Sequence, residues 1–102
     1  MKTMGLDHGA KRVGVAVSDA CRVHAFPLEV IPGHDRHALL TRLVDLVKEH
    51  EVTTVVVGLP LTMMGERGPQ AMKVEEFAER LRRKLESFAE VELWEERRTR
   101  RY

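Results

Sequence analysis

The stretch from Gly5 to Asp19, GLDHGAKRVGVAVSD, constrains the fold of this chain more than any other part of it. Its pattern predicts two short strands, at residues 2–7 and 13–18, joined by a tight turn. The first strand ends on Asp7, so we expect this carboxylate at a sheet edge, exposed but held by a rigid scaffold. A catalytic or metal-binding acid is well placed there.

The turn between these strands offers groups that suit a phosphate. Gly9 can take a positive φ and lets a backbone or a ligand approach closely, and Lys11 and Arg12 offer positive charge. The alternative is an ordinary hairpin in which Asp7 caps a turn and both cations are solvated, because turns select aspartate and glycine in any case. These residue types alone leave both interpretations open.

The rest of the chain predicts a mixed α/β fold. Short turns join strands one to three, which should form an antiparallel meander. Asp35 is the expected N-cap of a helix, and the β-branched run TTVVVGL then predicts a strand that is covered on both faces and parallel to the first. Pro69 should lie in the first turn of a second, amphipathic helix. The predicted strands are residues 2–7, 13–18, 25–31, 53–59 and 90–94, and the predicted helices are residues 36–50 and 69–88.

Candidate site residues gather at the carboxyl ends of the parallel strands, where open α/β sheets bind ligands. The loop GLPLTMMGERGP lacks the Gly-Lys-Ser/Thr of a Walker A motif. It is either a flexible connection or a loop whose backbone amides and Arg67 meet a phosphodiester. Two acids, Glu95 and Glu96, follow the last predicted strand and precede Arg97. Topology therefore brings these groups toward the acid of the first strand.

Acids that converge from different strands suit a divalent metal ion. Asp7, Glu95 and Glu96 would offer hard oxygen ligands to Mg²⁺ or Mn²⁺ and leave positions for water and a substrate phosphate. Two such ions can activate a water and stabilise the leaving oxygen of a phosphodiester. Cations around an acidic centre would position a nucleic-acid backbone. The candidates are Lys11, Arg12, Arg67 and Arg97, together with Gly9 for close approach.

Three motifs, in this order, resemble those of the YqgF/RuvX family of Holliday junction resolvases and ribosomal-RNA-maturation nucleases. They are GLDxGxKRxGVAVSD, the G-L-P-x₄-G-x₂-G-P loop and the run VELWEERRT. The resemblance implies a ribonuclease-H-like sheet of five strands, with strands one to three antiparallel, the last two parallel to the first, and helices packed on it. It also implies metal-dependent cleavage of branched DNA or of a small-subunit ribosomal RNA precursor. Asp7 and Glu96 would be metal ligands, and Glu95 takes the motif's Asp position.

The chain departs from the family pattern in two places. Thr62 and Met64 stand where relatives often carry Asn and Asp. Relatives also continue past the third motif into another helix that supplies a further acid, whereas this sequence ends at Tyr102. The chain is an N-terminal fragment, a naturally short protein or one with an altered end. In all three cases we expect residues 1–102 to form a single ribonuclease-H-like domain without that helix, with weak metal affinity and little or no activity.

Composition narrows the partners and the location. The net charge is only +1, so any nucleic-acid surface must be local. The lone cysteine, Cys21, excludes an intramolecular disulfide and suits a reducing cytoplasm. No apolar run approaches the ~18–20 residues of a membrane span, so we expect no membrane partner. The expected partner is RNA or branched DNA, and a resolvase would also need a two-fold homodimer to cut two strands.

The histidines give a weaker signal. His8 follows the acid of the first strand and could line the site. His34 and His37 lie three residues apart near a helix start, and we expect them to be ordinary surface residues. No cysteine or third histidine stands near them to complete a zinc site.

Two other functions stay open. The fold could serve as a non-catalytic RNA-binding module that has lost an acid. The D-x-G-x₄-G pattern also resembles the phosphate-binding hairpin of actin and sugar-kinase nucleotide-binding domains, although these usually place Thr or Ser where Ala10 stands. They also need a second domain to enclose ATP. Stabilisation by ATP would favour the nucleotide-binding domain, and RNA binding without metal-dependent cleavage would favour the RNA-binding module.

Overall fold

Alternation of strand and helix patterns produces seven elements in the computed structural model, which describes residues 2–18, 25–62 and 64–97. No helix in this part of the chain is long and apolar enough to cross a membrane. In chain order the elements are β1 (Lys2–His8), β2 (Arg12–Ser18), β3 (Ala25–Pro32), α1 (Arg36–Glu49), β4 (Val52–Leu61), α2 (Pro69–Leu85) and β5 (Glu90–Arg97).

The five strands form one mixed sheet in the order β3-β2-β1-β4-β5. Strand β1 pairs antiparallel with β2, and β2 pairs antiparallel with β3. Strand β4 lies parallel to both β1 and β5. Helix α1 leads the chain into β4 and helix α2 joins β4 to β5, and such helical crossovers connect parallel strands. The predicted topology is thus confirmed, and β1 is the central strand.

Both helices cover the same face of the sheet. In β4 the buried side chains alternate along the strand and include Val55, Val57 and Leu59, whereas Val56 and Gly58 between them are only half-buried. The buried residues of α1 and α2 join these β4 residues in one hydrophobic core, and the two helices contact each other. The prediction that this strand is covered on both faces is therefore wrong. A run of valines fits one buried face as well as two, so the run alone could not distinguish them.

The helix starts follow the predicted chemistry. The Asp35 carboxylate accepts a hydrogen bond from the backbone N–H of Ala38 at 3.1 Å, which caps α1. Helix α2 begins at Pro69, as predicted. The prediction that this helix extends to residue 88 is wrong, because α2 stops at Leu85 and Phe88 lies beyond it, 58% exposed.

The last strand is longer than predicted. Strand β5 runs through Glu95, Glu96 and Arg97, which were expected to follow it. The reason is that β4 itself continues to Leu61 and pairs there with Arg97. The two acids are therefore part of the sheet, and strand alternation decides which face each position takes.

Candidate functional site

Asp7 lies near the carboxyl end of the central strand, on the face that the helices leave open. Its neighbour Leu6 is buried in the core, and alternation places the exposed Asp7 on the opposite face. Glycines flank it on both sides. Gly14 is its partner on β2, and Gly58 is level with it on β4, because Leu6 pairs with Val57. A Cβ at Gly14 would lie 3.8 Å from the Asp7 Cβ, so glycine leaves this flank of the carboxylate accessible.

The β1–β2 turn holds two cations beside this acid. The Gly9 N–H donates to the Arg12 carbonyl oxygen at 2.9 Å. A Cβ at Gly9 would lie only 3.0 Å from the same oxygen, so close backbone approach, and not a positive φ, favours glycine here. Lys11 and Arg12 are exposed, and within the described residues neither side chain makes a hydrogen bond or an ion pair. No acid of the described residues therefore competes with a ligand for their charge.

The turn after β3 is attached to this hairpin through the backbone. The Gly33 N–H donates to the Lys11 carbonyl oxygen at 2.9 Å, and Pro32 pairs with Arg12. His34 and His37 follow, both exposed. The structure therefore brings a segment beside the candidate cations that the sequence pattern did not connect with them, because only the register of β2 and β3 reveals the contact.

The loop after β4 is closed by its own hydrogen bonds. The Thr62 N–H donates to the Glu66 carbonyl at 2.9 Å, and the Thr62 hydroxyl accepts from the Glu66 N–H at 3.1 Å. Gly65 has a φ of 79°, which glycine adopts without strain. Arg67 lies at the predicted edge, but it forms an ion pair with Glu75 of α2. Its role as a substrate contact stays a prediction, and this contact would have to compete with Glu75.

The β5 acids do not occupy equivalent positions. Glu95 pairs with Leu59, which is buried on the helix side of the sheet. The Glu95 position therefore lies on the face of the sheet opposite to Asp7, and Glu95 is exposed there because β5 is an edge strand. The backbone of Glu96 pairs with Pro60. The side chains of Glu96 and Arg97 lie outside the described part of the structure, so both of their predicted roles stay predictions.

The described side chains do not complete a metal site. Within residues 2–18, 25–62 and 64–97, no group of three or more His, Cys, Asp or Glu residues could hold a metal ion. Asp7 offers a carboxylate on the open face, and the predicted pair with Glu96 depends on a side chain that the structure does not describe. A further acid would be needed to complete the three-ligand set.

His8 is directed away from the Asp7 carboxylate. Its ring packs on Phe77 of α2 with the ring centroids 4.7 Å apart, and its buried Nδ1 has no hydrogen-bond partner in the described residues. Burial lowers the pKa of His8, Arg36 lowers it further, and a backbone hydrogen bond and the Asp7 charge act in the opposite direction. His8 is thus a packed histidine under α2, not a group that lines the face of Asp7.

A shallow groove of about 570 Å³ lies beside Asp7 on the open face. Gly5, Gly14 and Ala16 contribute to its lining, and Leu28 and Val30 of β3 contribute apolar side chains. A Cβ at Gly5 would meet no atom within 4 Å, so the groove is open above this strand. Sequence reasoning did not predict this groove, because its lining residues come from three strands and only the register of β1, β2 and β3 brings them together.

Comparison with known proteins shows which family this chain belongs to. A family model described as RuvX, Holliday junction resolvase, matches residues 1–101. A Chloroflexus aurantiacus protein, named as a candidate pre-16S rRNA nuclease, is 48% identical over 96 residues, which cover 94% of this chain and 61% of the relative. A Roseiflexus protein of the same name is 47% identical over 81 residues, covering 79% of this chain and 57% of the relative. The chain thus spans about three fifths of the length of these relatives.

Solved structures match the fold at low identity. RuvC from T. thermophilus, in complex with a Holliday junction substrate, has a TM-score of 0.66 at 16% identity, covering 93% of this chain and 64% of RuvC. An exopolyphosphatase from Cytophaga hutchinsonii has a TM-score of 0.54 at 13% identity, covering 93% of this chain and 34% of that protein. The chain therefore has a ribonuclease-H-like α/β fold. Proteins of different function share this architecture, so the fold alone does not select a function.

Proposed function

Because this chain belongs to the RuvX family, we propose that it is, or forms part of, a nuclease that hydrolyses phosphodiester bonds of structured nucleic acid. The substrate would be a precursor of 16S ribosomal RNA or a Holliday junction, in line with the names of its relatives and its family. A cytoplasmic location belongs to the same proposal, since ribosomal RNA matures there, and a homodimer would be required for cutting two strands of a junction.

One observation carries this proposal: an exposed carboxylate near the carboxyl end of the central strand of a ribonuclease-H-like sheet, beside two cations that form no ion pair within the described residues. Asp7 is open to ligands between Gly14 and Gly58. Lys11 and Arg12 can hold a phosphate backbone near it, because lysine and arginine bind phosphate oxygens with charge-assisted hydrogen bonds. This arrangement favours a phosphodiester substrate over a neutral small molecule.

A divalent metal ion, Mg²⁺ or Mn²⁺, is part of the proposal and would act as a Lewis acid on the phosphodiester. Asp7 and Glu96 are the residues of this chain proposed to hold it, with a further acid from outside the described residues. Lys11, Arg12, Arg67, Arg97 and the close approach at Gly9 would serve substrate binding. That residues 1–102 belong to a single domain is part of the same hypothesis.

The test is cleavage by the protein at the full length that its gene encodes. We expect Asp7→Asn to reduce metal-dependent cleavage of a pre-16S rRNA fragment or a four-way DNA junction by about 100-fold or more, because asparagine would hold the metal ion that stabilises transition-state charge less well than a carboxylate. Asp45→Asn is the matched control, because Asp45 is an exposed acid on α1. Equal cleavage by Asp7→Asn and the unchanged protein would refute the proposed catalytic role of Asp7.

Two further outcomes separate the alternatives. Binding of RNA without cleavage by the full-length protein in either metal would favour a non-catalytic RNA-binding module. A rise in melting temperature with ATP, and no affinity for nucleic acid, would favour a nucleotide-binding domain instead.

A further inference from the structure

The segment Gly33–His37, which comprises the turn after β3 and the first two residues of α1, begins against the β1–β2 hairpin. Two backbone contacts hold it there: the Gly33 N–H donates to Lys11, and Pro32 pairs with Arg12. A Cβ at Gly33 would lie 3.4 Å from the Lys11 carbonyl oxygen, so the two segments are in close contact. Because the attachment uses main-chain atoms, it consumes none of the side chains at this surface.

Some charged groups of this surface are already used within the protein. The Asp35 carboxylate caps α1 through the N–H of Ala38. Arg36 forms an ion pair with Glu76 of α2 at 3.1 Å. The ion pair offsets the charge of Arg36, and both contacts fix the start of the helix.

The other polar side chains of the surface have no such contacts. Lys11, Arg12, His34 and His37 are exposed, and within the described residues none of them makes a hydrogen bond or an ion pair. The side chains left free are thus two cations and two imidazoles. An imidazole donates one N–H when neutral and two when protonated, so all four can donate to phosphate oxygens.

We propose that the Gly33–His37 segment, the turn and the helix start that follows it, is a second contact for the phosphate backbone of the nucleic acid, with His34 and His37 binding phosphates next to those held by Lys11 and Arg12. This inference rests on the proposed function, because it needs a nucleic-acid substrate at the Asp7 edge. The segment would position the strand and would take no part in the chemistry at the scissile bond.

The charge of histidine gives the proposal a specific readout. Histidine changes its charge between about pH 5 and pH 8, and each cation that neutralises a phosphate of B-DNA contributes about 0.9 to the slope of log K against log salt. The charged groups around the two histidines are Lys11 and Arg12 of the hairpin, Asp35 and Arg36 of α1, and Glu76 of α2. A phosphate contact by protonated histidine should therefore appear in the salt slope at low pH and disappear at high pH.

The experiment measures binding of a fluorescent four-way DNA junction by anisotropy, in EDTA to prevent cleavage, over a salt series at about pH 6 and about pH 8. We expect the double variant His34→Ala, His37→Ala to reduce the slope at the lower pH by about 1–2 and to leave it nearly unchanged at the higher pH. His50→Ala is the matched control, because His50 lies at the opposite end of α1. Its slope should equal that of the unchanged protein at both pH values.

A variant that adds a positive charge tests the proposal even if the double alanine variant disturbs folding. His34→Lys should raise the slope by about 0.9 at about pH 8, where an ordinary histidine is largely neutral, and should change it little at about pH 6, whereas His50→Lys, with the same net charge, should not raise it at either pH. Equal slopes for the double variant and the unchanged protein at the lower pH would overturn the proposal, as would equal effects of the two lysine variants. If the unchanged protein does not bind the junction, or if Lys11→Ala and Arg12→Ala do not weaken binding, the proposed function fails first.

Discussion

Replacing Gly9 with alanine tests whether the hairpin beside Asp7 depends on close backbone approach. The added Cβ would lie 3.0 Å from the Arg12 carbonyl oxygen, which already accepts the Gly9 N–H at 2.9 Å. This oxygen cannot retreat without lengthening the hydrogen bond that closes the turn. Overpacking of this kind costs about 1–3 kcal/mol, and a weakened hydrogen bond costs about 1 kcal/mol or less. Alanine also restricts the unfolded chain, which offsets about 0.4–1 kcal/mol of these costs. We therefore expect Gly9→Ala to destabilise the fold by about 1–3 kcal/mol in total.

Gly5→Ala is the matched control on the same strand. A Cβ there would meet no atom within 4 Å, and Gly5 has no positive φ. Alanine therefore fits without strain and should stabilise the protein by about 0.4–1 kcal/mol, because it restricts the unfolded chain. The two variants change the same residue type with opposite expected signs.

Urea denaturation followed by far-UV circular dichroism measures both effects. In a domain of this size 1 kcal/mol corresponds to a shift of about 4–8 °C in melting temperature, so thermal melts provide a second readout. A Gly9→Ala variant as stable as the unchanged protein would refute the reasoning, because the 3.0 Å contact would then be relieved without loss. Equal destabilisation by Gly5→Ala would show that glycine at both sites matters for some reason other than space.

Two further predictions concern the core. Burial lowers the pKa of His8, so the folded protein favours the neutral imidazole; His8 therefore contributes stability above its ordinary pKa, and this is lost as the pH falls below about 6.5. His8→Phe should lose less stability between about pH 7 and pH 5 than the unchanged protein in urea melts, and an equal loss would contradict this. Leu81→Ala should cost about 2–5 kcal/mol in the same assay, because Leu81 is fully buried. Met72→Ala, at an exposed position of the same helix, should stay within about 0.5 kcal/mol, and similar losses for both would argue against the described core.

Local sequence chemistry predicted most of the fold. The N-cap at Asp35, the first-turn proline at Pro69 and the order of strands and helices depend on short-range preferences, which a sequence carries directly. The extra turn of helix predicted to Phe88 shows the limit of periodicity. Phe88 continues the apolar spacing of α2, but the chain leaves the helix at Glu86, which has a φ of 46°, and Phe88 instead lies against the Lys48 ammonium, 4.5 Å from its ring centroid.

The candidate site was predicted in its parts but not in its geometry. Asp7, Lys11 and Arg12 belong to one local motif, so their proximity follows from the hairpin alone. The attachment of Gly33 to this hairpin depends on the pairing of β2 with β3, which residue types do not specify. The environment of His8 depends on where the helices pack on the sheet, and the local sequence around His8 does not specify that packing.

The same reasoning separates the two acids of β5. They were predicted together because both follow the apolar part of the strand, yet neighbouring strand residues alternate between the two faces of a sheet. Glu95 pairs with buried Leu59 and so takes the face opposite to Asp7. In the full-length protein we expect Glu96→Gln to lower metal-dependent cleavage about as much as Asp7→Asn, whereas Glu95→Gln should retain most of the activity. Each variant removes one negative charge from adjacent positions, so long-range electrostatics change almost equally, and only the face of the strand distinguishes them. A Glu95→Gln variant as inactive as Asp7→Asn, combined with an active Glu96→Gln, would show that the site forms around the helix-side edge, and the pairing of Asp7 with Glu96 would have to be abandoned.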